Sequence, residues 1–262
     1  MNPVFPYSGG KRRMLKYILP LIPEHKRYIE PFAGGLAVFL AKPRTKVEVI
    51  NDWNKEVATF YRYVKYHLDS LLAELEGYLH SRETFDLLLQ NKGLTELQRA
   101  ARWYILKVSS FSGFGEFYAR DKDSFRGFDK NRHMPMIVSL RDRLEGVYIE
   151  NKDWEEVVQF FDKDEKSFSY FDPPYCTGDS GVYDAFSEFD MTRVRNRLAI
   201  MKGSWLCSTD DSEICRQIFD GFNFVSIPIT YSSGTNYVGR AKKAELLIAS
   251  DNIDLSGIKI KE

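Results

Sequence analysis

Apolar segments alternate with glycine turns and amphipathic stretches at both ends of the chain. Residues 28–41 run from an apolar segment through a glycine turn into a helix-forming stretch, which predicts a β–turn–α unit. The same pattern predicts further strands at 46–50, 147–150, 167–171, 204–208, 222–229 and 244–249. A helix is expected between the strands at 147–150 and 167–171, and the last two strands are expected to form an antiparallel pair.

The middle of the chain has a different pattern. From residue 55 to residue 110, leucines and other apolar residues recur at steps of three and four, which predicts several helices and no strand. Residues 111–130 then alternate aromatic, glycine and charged residues, as is typical of a β-hairpin or an ordered surface loop. Another helix is expected at 134–144.

Together these elements predict a two-part architecture. Strand–helix alternation at both ends favours a doubly wound, Rossmann-like α/β sheet whose last strand is antiparallel. The central block predicts a helical insertion that carries the hairpin. We therefore expect one domain from residues 1–54 and 146–262, and a second domain from residues 55–145.

The charge balance limits what can be inferred about partners. The chain of 262 residues has 37 Lys and Arg and 37 Asp and Glu, so its formal net charge is zero. With 44% hydrophobic residues it is able to bury a core, which argues against a disordered chain. A nucleic-acid partner must therefore be inferred from local basic clusters.

The three cysteines and four histidines do not have the spacing of a metal site or a redox motif. We therefore expect no metal, and reduced thiols as in a cytoplasmic protein. The N-terminus lacks a charged segment followed by an apolar run, so no signal peptide is predicted, and no apolar stretch reaches membrane-spanning length. The expected location is the cytoplasm, with no membrane partner.

A glycine turn and an acidic residue follow the first two predicted strands. Gly34 and Gly35 precede a helix, where glycine lets the backbone approach a ligand and the helix N-terminus offers N–H groups. A tight β–α turn also uses glycine for steric reasons alone. Asp52 ends the next strand, where a carboxylate is able to bind both ribose hydroxyls or to cap the following helix. The pair suggests an adenosine-containing ligand that does not need a diphosphate.

The sequence Asp172-Pro173-Pro174-Tyr175 directly follows the predicted strand at 167–171. Two prolines predict a rigid turn at the carboxyl end of the strand, where open α/β sheets bind ligands. A carboxylate, a prolyl carbonyl and an aromatic ring on one fixed backbone match a planar base that carries an amino group. The two acceptors bind the amino hydrogens, and the ring stacks on the base.

These motifs resemble, in order and over nearly the whole chain, those of the Dam-type family of N6-adenine DNA methyltransferases. The similar segments are Tyr7-Ser8-Gly9-Gly10-Lys11, Glu30-Pro31-Phe32-Ala33-Gly34-Gly35, Asn51-Asp52-Trp53-Asn54, Asp172-Pro173-Pro174-Tyr175 and Arg240-Ala241-Lys242-Lys243-Ala244-Glu245-Leu246-Leu247. Tyr7 stands where tryptophan is common in the family. Residues 55–145 match only in their helical character and in the aromatic and basic hairpin, which leaves the target sequence open.

The resemblance implies an enzyme that transfers a methyl group from S-adenosylmethionine to N6 of adenine in double-stranded DNA. It implies that residues 1–54 and 146–262 bind the methyl donor and that residues 55–145 recognise the target. The implied donor-binding residues are Tyr7, Lys11, Glu30, Pro31, Phe32, Ala33, Gly34, Gly35, Asp52, Asp153 and Asp172. The implied catalytic residues are Asp172, Pro173, Pro174 and Tyr175, and the target adenine has to leave the duplex to reach them.

Basic residues around the hairpin and before the last strand are candidates for DNA contacts. They are Arg120, Lys122, Arg126, Lys130 and Arg132 near the hairpin, and Arg240, Lys242 and Lys243 near the last turn. Arginine on such a hairpin is able to bind guanine edges, whereas lysine is expected to touch phosphates. An ordinary solvated surface is the alternative for each of these residues.

The sequence leaves two other functions open. N4 of cytosine presents the same amino geometry, so a cytosine-N4 DNA methyltransferase is one alternative. A catalytically silent DNA-binding or specificity subunit is the other, and the intact Lys11, Asp52 and Asp172 argue against it. A cognate restriction endonuclease in a separate chain is a further candidate partner.

Overall fold

The structure, a computed structural model, describes residues 1–120, 125, 127–175, 186–230 and 242–259. The strands are β1 (Arg27–Glu30), β2 (Val47–Asn51), β3 (Val147–Glu150), β4 (Ser167–Phe171), β5 (Ser204–Asp210), β6 (Asn223–Thr230) and β7 (Lys242–Ala249). They form a seven-stranded sheet in the order β3-β2-β1-β4-β5-β7-β6. β2, β1, β4 and β5 run parallel, and β7 is antiparallel to both β5 and β6. The predicted Rossmann-like α/β sheet with an antiparallel last strand is confirmed.

Ten α-helices occur within the described residues. They are α1 (Leu15–Ile18), α2 (Ala37–Ala41), α3 (Lys55–Tyr66), α4 (Leu68–Glu76), α5 (Arg82–Gln90), α6 (Glu96–Ser109), α7 (Lys130–Leu144), α8 (Trp154–Phe161), α9 (Glu188–Leu198) and α10 (Glu213–Ile218). Short 3₁₀ turns occur at Lys11–Arg13, Leu19–Leu21 and Phe111–Gly113. The predicted helical block at 55–110 is therefore α3 to α6. The helix expected at 134–144 begins earlier because the Asp129 side chain caps it, accepting a hydrogen bond from the Asn131 N–H.

The segment predicted as a hairpin is a closed loop over residues 110–119. An antiparallel bridge joins Ser110 to Tyr118, and the Ala119 N–H donates to the Ser109 carbonyl at 2.9 Å. Gly113 has φ of +74°, and a Cβ at this position would overlap the carbonyl oxygen of Pro6. The loop is therefore packed against the N-terminal segment. Residues 121–124 and 126 of the predicted hairpin lie outside the described residues.

The chain divides into two compact units. The first comprises Met1–Lys11, Gly34–Ala41 and Asn51–Lys152, and the second comprises Arg12–Ala33, Lys42–Ile50 and Asp153–Glu262. An aromatic cluster stabilises the first unit, in which the rings of Phe60 and Tyr104 stack with centroids 5.0 Å apart. In the second unit, apolar side chains of the sheet pack against α8, α9 and α10. The functional division predicted from the sequence stays a prediction.

Among the described helices, none combines the length and the apolar character that a membrane crossing requires. The described residues also contain no group of three or more His, Cys, Asp or Glu side chains placed to hold a metal ion.

Candidate active site

In the first unit, the carboxylate of Asp52 is bound by the backbone. The Gly34 N–H donates to Oδ2 at 2.8 Å, and the Asn54 N–H donates to Oδ1 at 2.8 Å. The cap of α3 is Asn54, whose side chain accepts a hydrogen bond from the Glu56 N–H. Of the two roles that the sequence allowed for Asp52, helix capping is therefore performed by another residue. Each Asp52 oxygen retains further acceptor capacity, which is what a ligand with two hydroxyls requires.

Burial sets the electrostatics of Asp52. It raises the pKa of this carboxyl to about 6, although the hydrogen bonds from Gly34 and Asn54 and the positive charge of Lys107 all act to lower it. The ionised form is thus less well solvated here than in water. A ligand that donates hydrogen bonds to this carboxylate would replace part of the lost solvation.

The glycine turn makes room for an aromatic ring. A Cβ at Gly34 would lie 2.8 Å from Cε1 of Tyr7, and a Cβ at Gly35 would lie 3.0 Å from the Tyr7 Cβ. Gly34 also has φ of +44°, in the left-handed region. The steric explanation for these glycines therefore holds, and the group that approaches them is Tyr7. Lys11, four residues after Tyr7, is buried, and its Nζ donates to the Gly9 carbonyl at 2.9 Å.

The structure adds two residues to this region that the sequence analysis did not single out. Lys107 is 9% exposed, and its Nζ lies 5.5 Å from the centroid of the Tyr7 ring. Trp53 directly follows Asp52 and is 74% exposed. The sequence does contain a signal for each residue. Lys107 is a lysine on the apolar face of α6, and Trp53 is a large aromatic residue directly after an acidic strand end.

In the second unit, Asp172 follows the fully buried strand β4 and is oriented by side chains. Ser208 Oγ donates to Asp172 Oδ1 at 3.2 Å and lies 2.7 Å from the Tyr170 hydroxyl oxygen. Because the single Ser208 hydrogen is used by Asp172, Tyr170 is the donor in the second bond. The parallel register pairs Phe171 with Cys207, which places Ser208 beside Asp172. No local sequence pattern indicates this chain of hydroxyls, because it depends on the register between two strands.

Tyr175 is also held by a neighbouring strand. Its hydroxyl donates to Glu245 Oε1 at 2.9 Å, and Glu245 on β7 is 2% exposed. The bond fixes the direction of the Tyr175 side chain. Pro173 is buried, whereas Pro174 and Tyr175 keep part of their surface accessible.

The segment Glu30–Ala33, in the second unit, ends β1 next to β4. Because β1 and β4 run parallel, Glu30 and Asp172 both lie at the carboxyl edge of the sheet. Glu30 is buried and accepts a hydrogen bond from the Tyr28 hydroxyl at 2.5 Å. Phe32 packs on Trp154 with ring centroids 5.7 Å apart. Pro31 and Ala33 are buried. The described contacts of Phe32 are those of a core residue, and its predicted contact with the donor stays a prediction.

Asp153 has two structural contacts within the second unit. Its carboxylate caps α8 by accepting a hydrogen bond from the Glu155 N–H at 2.9 Å, and it pairs with Arg193 at 3.3 Å. The predicted contact with the adenine of the donor stays a prediction. Any ligand at this position would share the carboxylate with the cap and the ion pair.

The candidate DNA contacts are only partly described. Arg120, Lys130 and Arg132 are exposed residues of the first unit. Lys122, Arg126 and Arg240 lie outside the described residues, as do the side chains of Lys242 and Lys243 at the start of β7. Their contact with DNA stays a prediction.

The chain is similar to known DNA methyltransferases. The family of D12 class N6 adenine-specific DNA methyltransferases matches residues 7–232. The type II methyltransferase M1.LlaDCHI of Lactococcus lactis subsp. cremoris is 29% identical, with 95% of each chain covered. The type II methyltransferase M.MjaIII of Methanocaldococcus jannaschii is 30% identical over 67% of this chain and 69% of its own. A DNA adenine methylase of Haemophilus influenzae is 24% identical, with 94% of this chain and 92% of its own covered.

The family match extends from the segment that carries Tyr7 past the motif that begins at Asp172, and it includes most of the residues between them. The same range contains Asp52 and Asp172. The chain therefore belongs to the D12 class of N6 adenine-specific DNA methyltransferases.

Proposed function

We propose that this DNA adenine methyltransferase uses S-adenosylmethionine as its methyl donor and acts on an adenine that is flipped out of double-stranded DNA. The observation that carries the proposal is the carboxylate of Asp172, which Ser208 and Tyr170 hold in one orientation at the end of β4. The family supplies the reaction. The donor, the extruded base and the roles of single residues are what the proposal adds.

The residues around Asp52 fit an adenosine-containing donor. The two oxygens of Asp52 would accept the two ribose hydroxyls, which would stabilise a charge that burial disfavours. The exposed indole of Trp53 offers a plane on which the donor's adenine would stack. When bound, S-adenosylmethionine supplies an electrophilic methyl group on its sulfonium.

Asp172 and the carbonyl of Pro173 act on the amino group of the target adenine. Both are acceptors, so they would bind the two N6 hydrogens and orient the nitrogen lone pair toward the methyl group. Positive charge would develop on N6 as it takes the methyl group and the sulfur–carbon bond of the donor breaks. The Asp172 carboxylate would stabilise that charge until N6 loses one of its two protons. Ser208 keeps the carboxylate in position before the charge appears, so little reorganisation is needed during the reaction.

Tyr175 would stack on the extruded base. Extrusion costs a few kcal/mol of lost pairing and stacking, and an aromatic partner recovers about 1–3 kcal/mol per base. The hydrogen bond to Glu245 keeps the ring direction fixed while the base enters. The ring is thus positioned before the substrate arrives.

We further propose that residues 55–145 recognise the target sequence, with residues 1–54 and 146–262 forming the catalytic part. Arg120 and Arg132 are exposed in the first part, as base or phosphate contacts require. The other proposed DNA contacts are Lys122, Arg126, Arg240, Lys242 and Lys243. Two of the relatives are type II methyltransferases, and a restriction endonuclease in a separate chain stays a proposed partner.

The test is a methyl-transfer assay with radiolabelled S-adenosylmethionine and unmethylated double-stranded DNA, followed by digestion to nucleosides. N6-methyldeoxyadenosine is expected as the labelled product. Labelled N4-methyldeoxycytidine would contradict adenine as the target base. A duplex with 2-aminopurine at the target adenine should gain fluorescence on binding, since the base leaves the stack. Unchanged fluorescence under conditions of full methylation would contradict the extruded base.

A further inference from the structure

We propose that Lys107 is a positioning residue that couples occupancy of the donor site to the conformation of the loop at residues 110–119. The proposal rests on the donor site assigned to Asp52 above. Lys107 lies on the buried face of α6, and its ammonium is close to the loop, to the Tyr7 ring and to the charge of Asp52. All of these residues belong to the first unit.

Lys107 holds the loop through a backbone carbonyl. Its Nζ donates to the Phe114 carbonyl oxygen at 3.2 Å. The next residue, Gly115, donates its N–H to Ser110 Oγ at 2.7 Å, where the antiparallel bridge begins. The tip of the loop is therefore bound to α6 by the Lys107 ammonium and to the first residue of the bridge by the Ser110 hydroxyl.

Lys107 also faces the donor site. Its Nζ lies 5.5 Å from the centroid of the Tyr7 ring, a distance at which a cation and an aromatic face attract each other. The positive charge of Lys107 acts to lower the pKa of Asp52. Burial lowers the pKa of Lys107 itself, while the charges of Glu116 and Asp52 raise it. Among the described residues, the charged groups that act on this ammonium are one acid of the donor site and one acid of the loop.

A second contact joins the same two regions. Gly113 packs directly on the carbonyl of Pro6, next to Tyr7, so a change in the position of the Tyr7 segment reaches the loop through the backbone. A donor that binds Asp52 would change the electric field at Lys107, which holds the loop. If the donor thereby changes the affinity of the enzyme for a duplex, the duplex must change donor affinity by the same factor, because coupling between two sites is reciprocal.

The coupling is measured as the ratio of two dissociation constants for S-adenosylhomocysteine, without and with a saturating duplex. The duplex carries the methylation site found by mapping N6-methyladenine on treated plasmid DNA. In the parent enzyme the two dissociation constants should differ by a factor of at least about five. In Lys107→Met, which removes the charge but keeps most of the side-chain volume, the effect should fall below about twofold.

Lys65→Met is the matched control. Lys65 also donates to a backbone carbonyl, that of Val147, at 2.6 Å, and also lies over an aromatic ring, that of Tyr66. It should keep the parental ratio, because the described contacts of Lys65 do not involve Asp52 or the loop. A Lys107→Met enzyme that is folded and has the parental ratio would overturn the proposal, as would a parent enzyme with a ratio of one.

A pH series separates this role from simple support of the fold. Without its positive neighbour, Asp52 should require a higher pH to ionise, so the pH at which donor affinity is half lost should move upward in Lys107→Met. If the pH at which donor affinity is half lost is unchanged in this variant, the proposed electrostatic effect of Lys107 on Asp52 is contradicted. If Lys107→Met does not fold, Lys107→Gln removes the charge but keeps a polar side chain with N–H donors. It should move the midpoint of the pH dependence upward and lower the coupling to below about twofold, and full coupling in this variant would overturn the proposal. Failure of the proposed function gives a different result from failure of the coupling, because the parent enzyme itself would then not bind the donor.

Discussion

Asp52 and Asp172 are both carboxylates that follow a parallel strand, but different partners orient them. Asp52 is bound by the backbone N–H groups of Gly34 and Asn54, whereas Asp172 is bound by the hydroxyl of Ser208, which Tyr170 supports. The Asn54 bond is set by the turn after β2, and the Gly34 bond comes from the turn after β1, which pairs with β2 in parallel. The register between β4 and β5 sets the arrangement of Asp172. The backbone-held acid suits a ligand that binds at equilibrium. The side-chain-held acid suits a group whose charge is needed during the reaction.

The largest effect that tests this comparison is expected from Asp172→Ala. In the proposed function the carboxylate would act most strongly when N6 becomes positive, so its loss should lower kcat by about a hundredfold or more. Affinity for DNA should change little, because phosphate contacts supply most of it. Single-turnover methylation and a binding titration measure the two quantities. The parental single-turnover rate in this variant would exclude Asp172 as a catalytic residue.

Asp52→Ala should instead weaken donor binding. Hydrogen bonds to a charged group contribute about 1.5–3 kcal/mol, so the dissociation constant should rise at least about tenfold. The effect should appear in KM for the donor and much less in kcat, because ribose contacts are equal in the ground state and the transition state. Calorimetry with S-adenosylhomocysteine gives the constant. An unchanged value would move the ribose contact to another residue.

The pH dependence of donor binding sharpens the comparison further. The pKa of Asp52 is about 6, so this carboxyl is protonated below that pH and loses its capacity as an anionic acceptor. Donor affinity should therefore be highest above about pH 7 and should fall by up to about tenfold for each unit below pH 6. Asp52→Asn should bind the donor weakly, with an affinity that is nearly independent of pH. A parental affinity that does not change between pH 5 and pH 8 would contradict the role of the ionised group.

Smaller effects are expected from the hydroxyls that orient the catalytic motif. Each hydrogen bond contributes about 0.5–1.5 kcal/mol, so Ser208→Ala and Tyr175→Phe should each lower kcat by about two- to tenfold. From the sequence, Tyr175→Phe should be mild because the ring face stacks on the base. Because the Tyr175 hydroxyl also donates to Glu245, the variant should in addition lose part of the orientation of the ring. If both variants match the parent in single-turnover assays, these bonds have no part in orienting the motif.

The sequence predicted the elements whose signal is local. The strands at 147–150 and 167–171 end where the structure ends them, since apolar runs and turn residues bound them. Helices α9 and α10 were not predicted, because the first is rich in charged residues and the second has only six residues. Within the site, Asp52 and Asp172 were found through motifs. Ser208 and Lys107 were not, because strand register and packing around α6 determine their roles.

The raised pKa of Asp52 also bears on the stability of the protein without its donor. The folded state holds the Asp52 proton more tightly than the unfolded chain, so this group favours folding at low pH. That contribution is lost as the pH rises from about 4 to about 6. At about 1.4 kcal/mol per pKa unit, the loss is on the order of 3 kcal/mol, a sizeable part of the net stability of a typical domain. Between pH 4 and pH 7 the parent should therefore lose more stability than Asp52→Asn, which has no carboxyl to titrate at this position, and added donor should stabilise the parent more than the variant.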